Sequence, residues 1–399
     1  CFGAAGSATR AEVEKEMQSA LSGLGEITDW DPSLSLGYTL ERGHGPMIPT
    51  TLLIAAQIAA QPAPAPTRPG DIPGLADAFV SARVAADSFS GVVLVARNGR
   101  IQYQRAAGLA DRERNIPMRL DTRLQIASTT KLYTQIAIRQ LEQAGGLSLA
   151  DTVGRFLPDY PNPVVRSRVT VEQLLGHRSG VGSFWNRTFM ARAPDIRSVQ
   201  DYLELFQGDS LLFEPGTRQA YSNGGFVLLG AIIEQVSGMS YHDYVREKVF
   251  EPAGMSETVP YDHRDRLANA AIGYTRQNPD GPRASGSGAR RPNTWSQAGM
   301  SSPAGGDYST VGDFVKLAGA LLGHKLLDSV RTAAVLGARY TAGQDFRANG
   351  GGPGTNAEFS IYPGGEVIVV LSNYDPPAAT AVAQYLRSLI AQPAAAKPQ

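Results

Sequence analysis

Two short β-hairpins, one toward each end of the apolar part of the chain, constrain the fold more than any other feature. In Gly91–Gln104 the pair Asn98-Gly99 separates Val92-Val93-Leu94-Val95 from Ile101-Gln102-Tyr103. Asn-Gly supplies the two left-handed residues of a type I′ turn, so this stretch predicts a tight hairpin. Toward the C-terminus, Ala357–Tyr362 and Glu366–Ser372 read as strands joined through Pro363-Gly364-Gly365. Two strands alone bury too little to be stable in water, so each hairpin needs a partner. The simplest solution is one antiparallel sheet built from both ends of the chain. A helical stripe of Leu75, Phe79 and Ala82 or Arg83 precedes the first hairpin. A helix carrying Val382, Leu386, Leu389 and Ile390 follows the second after Pro376-Pro377. Between them, residues 128–255 have a helical pattern. The expected class is therefore α+β: an antiparallel sheet flanked by terminal helices, with a largely helical insertion. Residues 274–300, rich in Gly, Ser, Pro and Arg, read as a long surface loop of the kind that more often serves function than not.

Composition removes several classes of function. Among 399 residues, 37 Lys and Arg balance 37 Asp and Glu, so the chain lacks the broad cationic field that drives nucleic-acid binding. Its single cysteine, Cys1, rules out an internal disulfide framework and a Cys-rich metal centre. The five histidines (His44, His177, His242, His263 and His324) form neither H-E-x-x-H nor H-x-H, so no metal and no other cofactor is expected.

The front of the chain reads differently from the rest. Beginning at Cys1, it predicts a processed or truncated product, or a reading frame entered midway. From Met47 to Gln61 a short apolar run ends in small residues, similar to a secretory signal cleaved near Ala60; a buried helix or an Ala-rich linker is the other reading. The run is too short to span a bilayer, which takes about 20 apolar residues. A Pro-rich linker follows at 60–69. With a working signal the product would be periplasmic or secreted, with residues 1–46 outside the mature protein; without one it would be cytoplasmic. Thr9-x-x-Glu12 is a capping box ahead of Val13, Met17, Leu21 and Leu24, which predicts one amphipathic helix without assigned function.

A hydrolase without metal or thiol needs an activated oxygen nucleophile. No G-x-S-x-G elbow occurs, but S-x-x-K does, as Ser128-Thr129-Thr130-Lys131. The segment Leu124–Ser128 runs into a helix of Leu132, Tyr133, Ile136, Ala137 and Leu141 that stops at Gly145-Gly146, so Ser128 sits in a first helical turn. Lys131 lies one turn on, on the same face, within reach of the hydroxyl. The helix dipole favours an alkoxide there, and dipole and burial together lower the lysine pKa toward that of a usable base. The competing reading makes Ser128 an N-cap and Lys131 a surface residue. A second constellation, Tyr221-Ser222-Asn223, opens another apolar helix from Phe226 to Val236. A phenol and a carboxamide two residues apart project the same way and suit a proton shuttle beside a hydrogen-bond partner. Taken alone, the pair could equally be a capping turn.

Ser128-x-x-Lys131 followed by Tyr221-x-Asn223 resembles the serine β-lactamase and penicillin-binding-protein superfamily, nearest to its class C β-lactamase, family VIII esterase and D-aminopeptidase-like branch. Leu174-Leu175-Gly176-His177-Arg178-Ser179-Gly180 resembles the family's L-L-x-H-x-S-G stretch, and Ser302–Thr310 its later S-x-A-G-G-x-x-S-T. Four ordered motifs make the resemblance specific, and it covers about residues 72–392. It implies a β-lactamase/transpeptidase-like fold with an α/β lobe at about 71–127 and 302–392 and a helical lobe at about 128–301. Residues 1–70 are then an extension and 393–399 a disordered tail.

The resemblance implies a serine hydrolase that forms an acyl-enzyme, with Ser128 as nucleophile and Lys131 and Tyr221 managing its proton. The partner would be a small ester, amide or peptidoglycan-like molecule. The departure lies in the third motif, where the family places K-[ST]-G or H-x-G. Here the stretch is Phe346–Asn356, and Ala348 or Asn349 stands where Lys or His is expected. Asn223, Asn349, Gly350 and Gly351 are the expected substrate-binding residues, the glycines as backbone donors; a flexible loop is the alternative for this stretch. The span from Asp313 to Asn349 is short, as though part of the preceding strand were missing. A rival function follows from that damage: a penicillin-recognising binding or sensor protein with little turnover.

Overall fold

The computed structural model describes residues 72–262, 267–277 and 288–391. The expectations for Thr9–Leu24, for the signal-like run at 47–61, for the Pro-rich linker and for the tail lie outside them. In chain order the elements that matter here are α1 (Ile72–Ala85), β1 (Gly91–Arg97), β2 (Arg100–Ala107), α2 (Lys131–Gln143), α3 (Asn223–Ser237), α4 (Val311–Leu322), α5 (Ser329–Thr341), β3 (Phe346–Gly352), β4 (Thr355–Ile361), β5 (Glu366–Ser372) and α6 (Ala378–Ala391).

The two hairpins join into one sheet in the order β2-β1-β5-β4-β3, antiparallel at every pairing. Asn98 and Gly99 both take positive φ, 50° and 73°, as the type I′ turn requires. The two hairpin tips also touch: the Asn98 N–H donates to the Gly365 carbonyl at 2.9 Å, next to the Arg97↔Glu366 pair that ends the β1–β5 ladder.

Alternation sorts the strands' side chains onto two covered faces. Val93, Val95, Ile368 and Val370 pack under α1 and α6 with Ala76, Val80, Val382 and Leu386. Val92, Leu94, Val369 and Leu371 face the second, larger core, with Leu132, Ile136, Phe314 and Leu317. Cover on both faces explains why the central strands β1 and β5 are nearly continuous apolar runs instead of alternating ones. The terminal helices lock together where Phe79 stacks on Tyr385 at 4.1 Å between ring centroids. The buried line of α1 differs from the expected one. Ala76 and Val80 are fully buried, Leu75 and Phe79 lie at the margin, and Ala82 is exposed. Small side chains let the helix approach the strands, and the larger ones wrap its flank.

Two stretches turn out more regular than their sequences suggest. Phe346–Gly352 is a full edge strand paired with β4 from Gly352↔Thr355 to Phe346↔Ile361, not a loop. It follows α5 after a short turn and forms one edge of the five-stranded sheet. In the expected surface loop, Tyr274-Thr275 pairs with Arg291-Pro292. Arg290 is pinned to Asp87 by a hydrogen bond of 2.8 Å to its carbonyl and lies 3.6 Å from the Tyr374 ring centroid. Among the described residues no helix is long and apolar enough to cross a membrane.

Candidate active site

The site is built where β3, the start of α2 and the start of α3 converge. Ile126 is fully buried, and its N–H donates to the Asp307 carbonyl at 2.9 Å. The next residue, Ala127, has φ 46°, a left-handed backbone that costs a residue with a Cβ about 1–2 kcal/mol. Strain of this kind persists only where the surroundings over-determine it, and it concentrates at functional sites. Its effect is to turn the chain so that Ser128 enters a single 3₁₀ turn, Ala127–Thr130, directly ahead of α2.

Ser128 does not cap the helix, because neither the turn nor α2 receives a side-chain cap hydrogen bond. Instead its Oγ accepts a hydrogen bond of 2.7 Å from the Tyr221 hydroxyl and lies 3.4 Å from Lys131 Nζ. Lys131 is no surface residue either, being only 6% exposed. Its Nζ donates to Asn223 Oδ1 at 2.8 Å and to the Ala304 carbonyl. Among the described residues no carboxylate pairs with it. Burial therefore holds its pKa well below the ordinary lysine value. The rings of Tyr221 and Phe226, with centroids 4.7 and 5.4 Å from Nζ, work the other way. Cation–π attraction of about 0.5–2 kcal/mol is smaller than the several kcal/mol needed to desolvate an unpaired cation, so burial wins.

Nζ thus meets three oxygens, of Asn223, Ala304 and Ser128, the last at 3.4 Å. An amine that has lost its proton keeps two N–H donors and has a lone pair to offer the Ser128 hydroxyl. Tyr221 is 42% exposed, yet its hydroxyl turns inward onto Ser128. Burial raises its pKa, and the hydrogen bond to Ser128 only partly offsets that, so the phenol keeps its proton.

The Tyr221–Asn223 turn is placed by α3. Ser222 caps that helix by accepting the Gly225 N–H at 2.8 Å, and Gly238 closes it in a left-handed cap. Within α3, a methyl group on Gly230 would lie 2.1 Å from Pro303 Cγ. That close approach brings the Ala304 carbonyl to Lys131, and it offsets the cost of about 1 kcal/mol that glycine imposes inside a helix. Asn223 Nδ2 donates to Ser183 Oγ at 3.3 Å, so both ends of the carboxamide are engaged.

On β3 the expected residues separate by face. Gly350 is buried against the nucleophile turn, where a methyl group would lie 2.3 Å from the Ile126 carbonyl and 2.9 Å from the Ser128 nitrogen. Only glycine fits that approach. Two residues back on the same face stands Ala348, so the position that carries a cation in the resembled motif holds a methyl group. Asn349 and Gly351 fall on the opposite face, and a methyl group on Gly351 would meet Pro376 at 2.7 Å. The Asn349 side chain is thus not brought to Ser128. Arg347 shares that opposite face and donates to Asp345 at 2.6 Å, with Arg339 on the same carboxylate at 3.0 Å. Burial opposes ionisation of Asp345, but the two guanidinium groups hold its pKa below the usual range.

Three contributors had no role assigned from the sequence: His177, whose Nδ1 accepts the Ser222 N–H at 3.1 Å, Ser183 and the Ala304 carbonyl. His177 and Ala304 lie inside the L-L-x-H-x-S-G and S-x-A-G-G stretches, which were the only signals available for them.

The family model described as Beta-lactamase matches residues 76–392. Penicillin-binding protein 4* of Bacillus subtilis (strain 168) is 36% identical over 192 residues, 47% of this chain and 42% of that protein. The chain thus spans about two fifths of the length of this curated relative. A penicillin-binding protein from Bacillus halodurans superposes with a TM-score of 0.68 at 30% identity, covering 77% of this chain and 98% of that one. D-amino acid amidase from Ochrobactrum anthropi SV3 shares the fold, with a TM-score of 0.64 at 24% identity, over 80% of this chain and 97% of that one.

Proposed function

We propose that this chain, which belongs to the Beta-lactamase family, is a serine hydrolase that works through an acyl-enzyme and prefers neutral esters. The observation that carries the proposal is the convergence on Ser128 Oγ of a phenol that keeps its proton and a buried amine that gives its proton up. Ser128 Oγ attacks the carbonyl carbon while its proton passes to Lys131 Nζ. The Ser128 N–H and a glycine N–H near 350 face the oxyanion. Tyr221 gives its proton to the leaving oxygen as the ester C–O bond breaks, and the proton held by Lys131 replaces it. In the second half, water attacks the acyl carbon, loses its proton to the same pair, and Ser128 Oγ regains a proton as the acid departs.

The absence of a cation at Ala348 supports the preference for neutral substrates. β-Lactams and D-Ala-D-Ala peptides carry a carboxylate next to the scissile amide, and a charge-assisted hydrogen bond to it is worth about 1.5–3 kcal/mol. The same residue favours one other reading, a penicillin-recognising protein that acylates and stops. Covalent labelling tests the shared step: Ser128→Ala should abolish labelling by a fluorophosphonate, and undiminished labelling would remove Ser128 from the mechanism. Burst kinetics on an ester separate the two readings, since a sensor releases one equivalent of product and then stalls.

A further inference from the structure

His177 stands outside the proton path described above, yet it holds the chain on both sides of Tyr221 and packs on its ring. Its Nδ1 accepts the Ser222 N–H at 3.1 Å, and its carbonyl accepts the Ala220 N–H at 2.9 Å. One residue thus holds the main chain on both sides of Tyr221. Its ring packs 4.8 Å from the Tyr221 ring and 5.1 Å from Phe226, centroid to centroid. Its backbone is left-handed, φ 54°, which is uncommon outside glycine and is tolerated best by Asn, Asp and His. That conformation lets carbonyl and ring address the same short segment.

We propose that His177 is a positioning residue for the hydrolysis: by accepting the Ala220 and Ser222 amides it fixes the Tyr221 hydroxyl on Ser128. The inference rests on the function proposed above. An Nδ1 that accepts must lack a proton, so the ring carries its hydrogen on Nε2. Burial, reinforced by the charge Lys131 can carry, pushes the imidazole pKa down to about 4, which keeps that lone pair available at neutral pH. A displacement of the phenol by about 1 Å is enough to cost on the order of a hundredfold in rate.

The acceptor can be separated from the ring by substitution. His177→Asn puts a carbonyl oxygen near the place of Nδ1 and suits the left-handed backbone; His177→Phe keeps the ring contacts and loses the acceptor. With p-nitrophenyl acetate, His177→Asn should keep kcat within about threefold, while His177→Phe loses about ten- to a hundredfold in kcat with KM little changed. If the Phe variant does not fold, His177→Gly, at ease with positive φ, should show the same loss. Wild-type kcat in the Phe or Gly variant, or an equal loss in the Asn variant, would overturn the proposal. Ser128→Ala keeps the two levels distinct. If it still turns over, the hydrolase mechanism itself fails; if it is dead while the Phe or Gly variant runs at full rate, only the role of His177 fails.

Discussion

The phenol of Tyr221 donates a hydrogen bond of 2.7 Å to Oγ of Ser128 across 93 positions of sequence. Tyr221→Phe deletes that donor and leaves the ring in place over Lys131. Because general acid–base catalysis contributes about a hundred- to ten-thousandfold, kcat should fall by that order with the thermal midpoint nearly unchanged. Steady-state kinetics beside a melting curve check it. An undiminished kcat would mean that Lys131 alone handles both proton transfers.

Lys131 gives a pH dependence whose sign is fixed. Its native pKa lies well below the ordinary value, so between the two the unfolded chain binds a proton that the native protein does not. Stability in this window therefore rises with pH, and the penalty builds as pH falls from the unfolded pKa toward the native one. Compared with Lys131→Met, which cannot titrate, the wild type should gain unfolding free energy as pH rises toward the unfolded lysine pKa of about 10.4. Denaturant midpoints of the two proteins across that range measure the difference. A constant difference would mean that the buried lysine titrates at its ordinary pKa.

Glycines that pack tightly and glycines that do not give a paired test. Gly350→Ala drives a methyl group to 2.3 Å from the Ile126 carbonyl, so β3 or the nucleophile turn must shift. Overpacking of this kind costs about 1–3 kcal/mol, and here it should also slow fluorophosphonate labelling of Ser128. Gly319→Ala, inside α4 with nothing within 4 Å of the new methyl group, should be neutral or stabilising by up to about 1 kcal/mol. Equal labelling rates in both variants would detach Gly350 from the site.

Much of this arrangement was legible in the sequence because side-chain pattern dictates it. Asn98-Gly99 specified its turn, the paired hairpins specified one sheet, and the spacing of Ser128, Lys131, Tyr221 and Asn223 named residues that meet within hydrogen-bond reach. What escaped is carried by the main chain. The Ala304 carbonyl holds Lys131 through a main-chain atom that its motif does not single out, and the positive φ of Ala127 and of His177 is imposed by packing. After Phe346 the run of β3 carries no β-former, so its sequence left strand and loop both open; it is a strand because the apolar strand β4 offers it a complete ladder. Which of Ala348 and Asn349 takes the place of the cation depends on strand phase, and the contact at Gly350 fixes it.

That phase leads to a test of substrate class. With Ala348 and Gly350 on the face that meets the nucleophile turn, and with Arg347 turned away onto Asp345, β3 presents no charged side chain toward Ser128. A substrate carboxylate would then enter without a partner and lose its hydration uncompensated. The chain should show a higher kcat/KM for a p-nitrophenyl ester than for a chromogenic cephalosporin, measured on one preparation. Ala348→Lys should narrow the gap by restoring a cation two residues before Gly350. A charge-assisted bond of about 1.5–3 kcal/mol corresponds to roughly a ten- to hundredfold gain on the anionic substrate. The ester, having no carboxylate to meet, should change little. Arg347→Ala serves as the opposing control: with its guanidinium held by Asp345, its removal should leave the ratio as it was. A wild-type preference for the cephalosporin that vanished in Arg347→Ala would show that this arginine leaves Asp345 when substrate binds. The neutral-ester assignment would then be wrong, and the strand would have replaced its missing lysine with a residue from its other face.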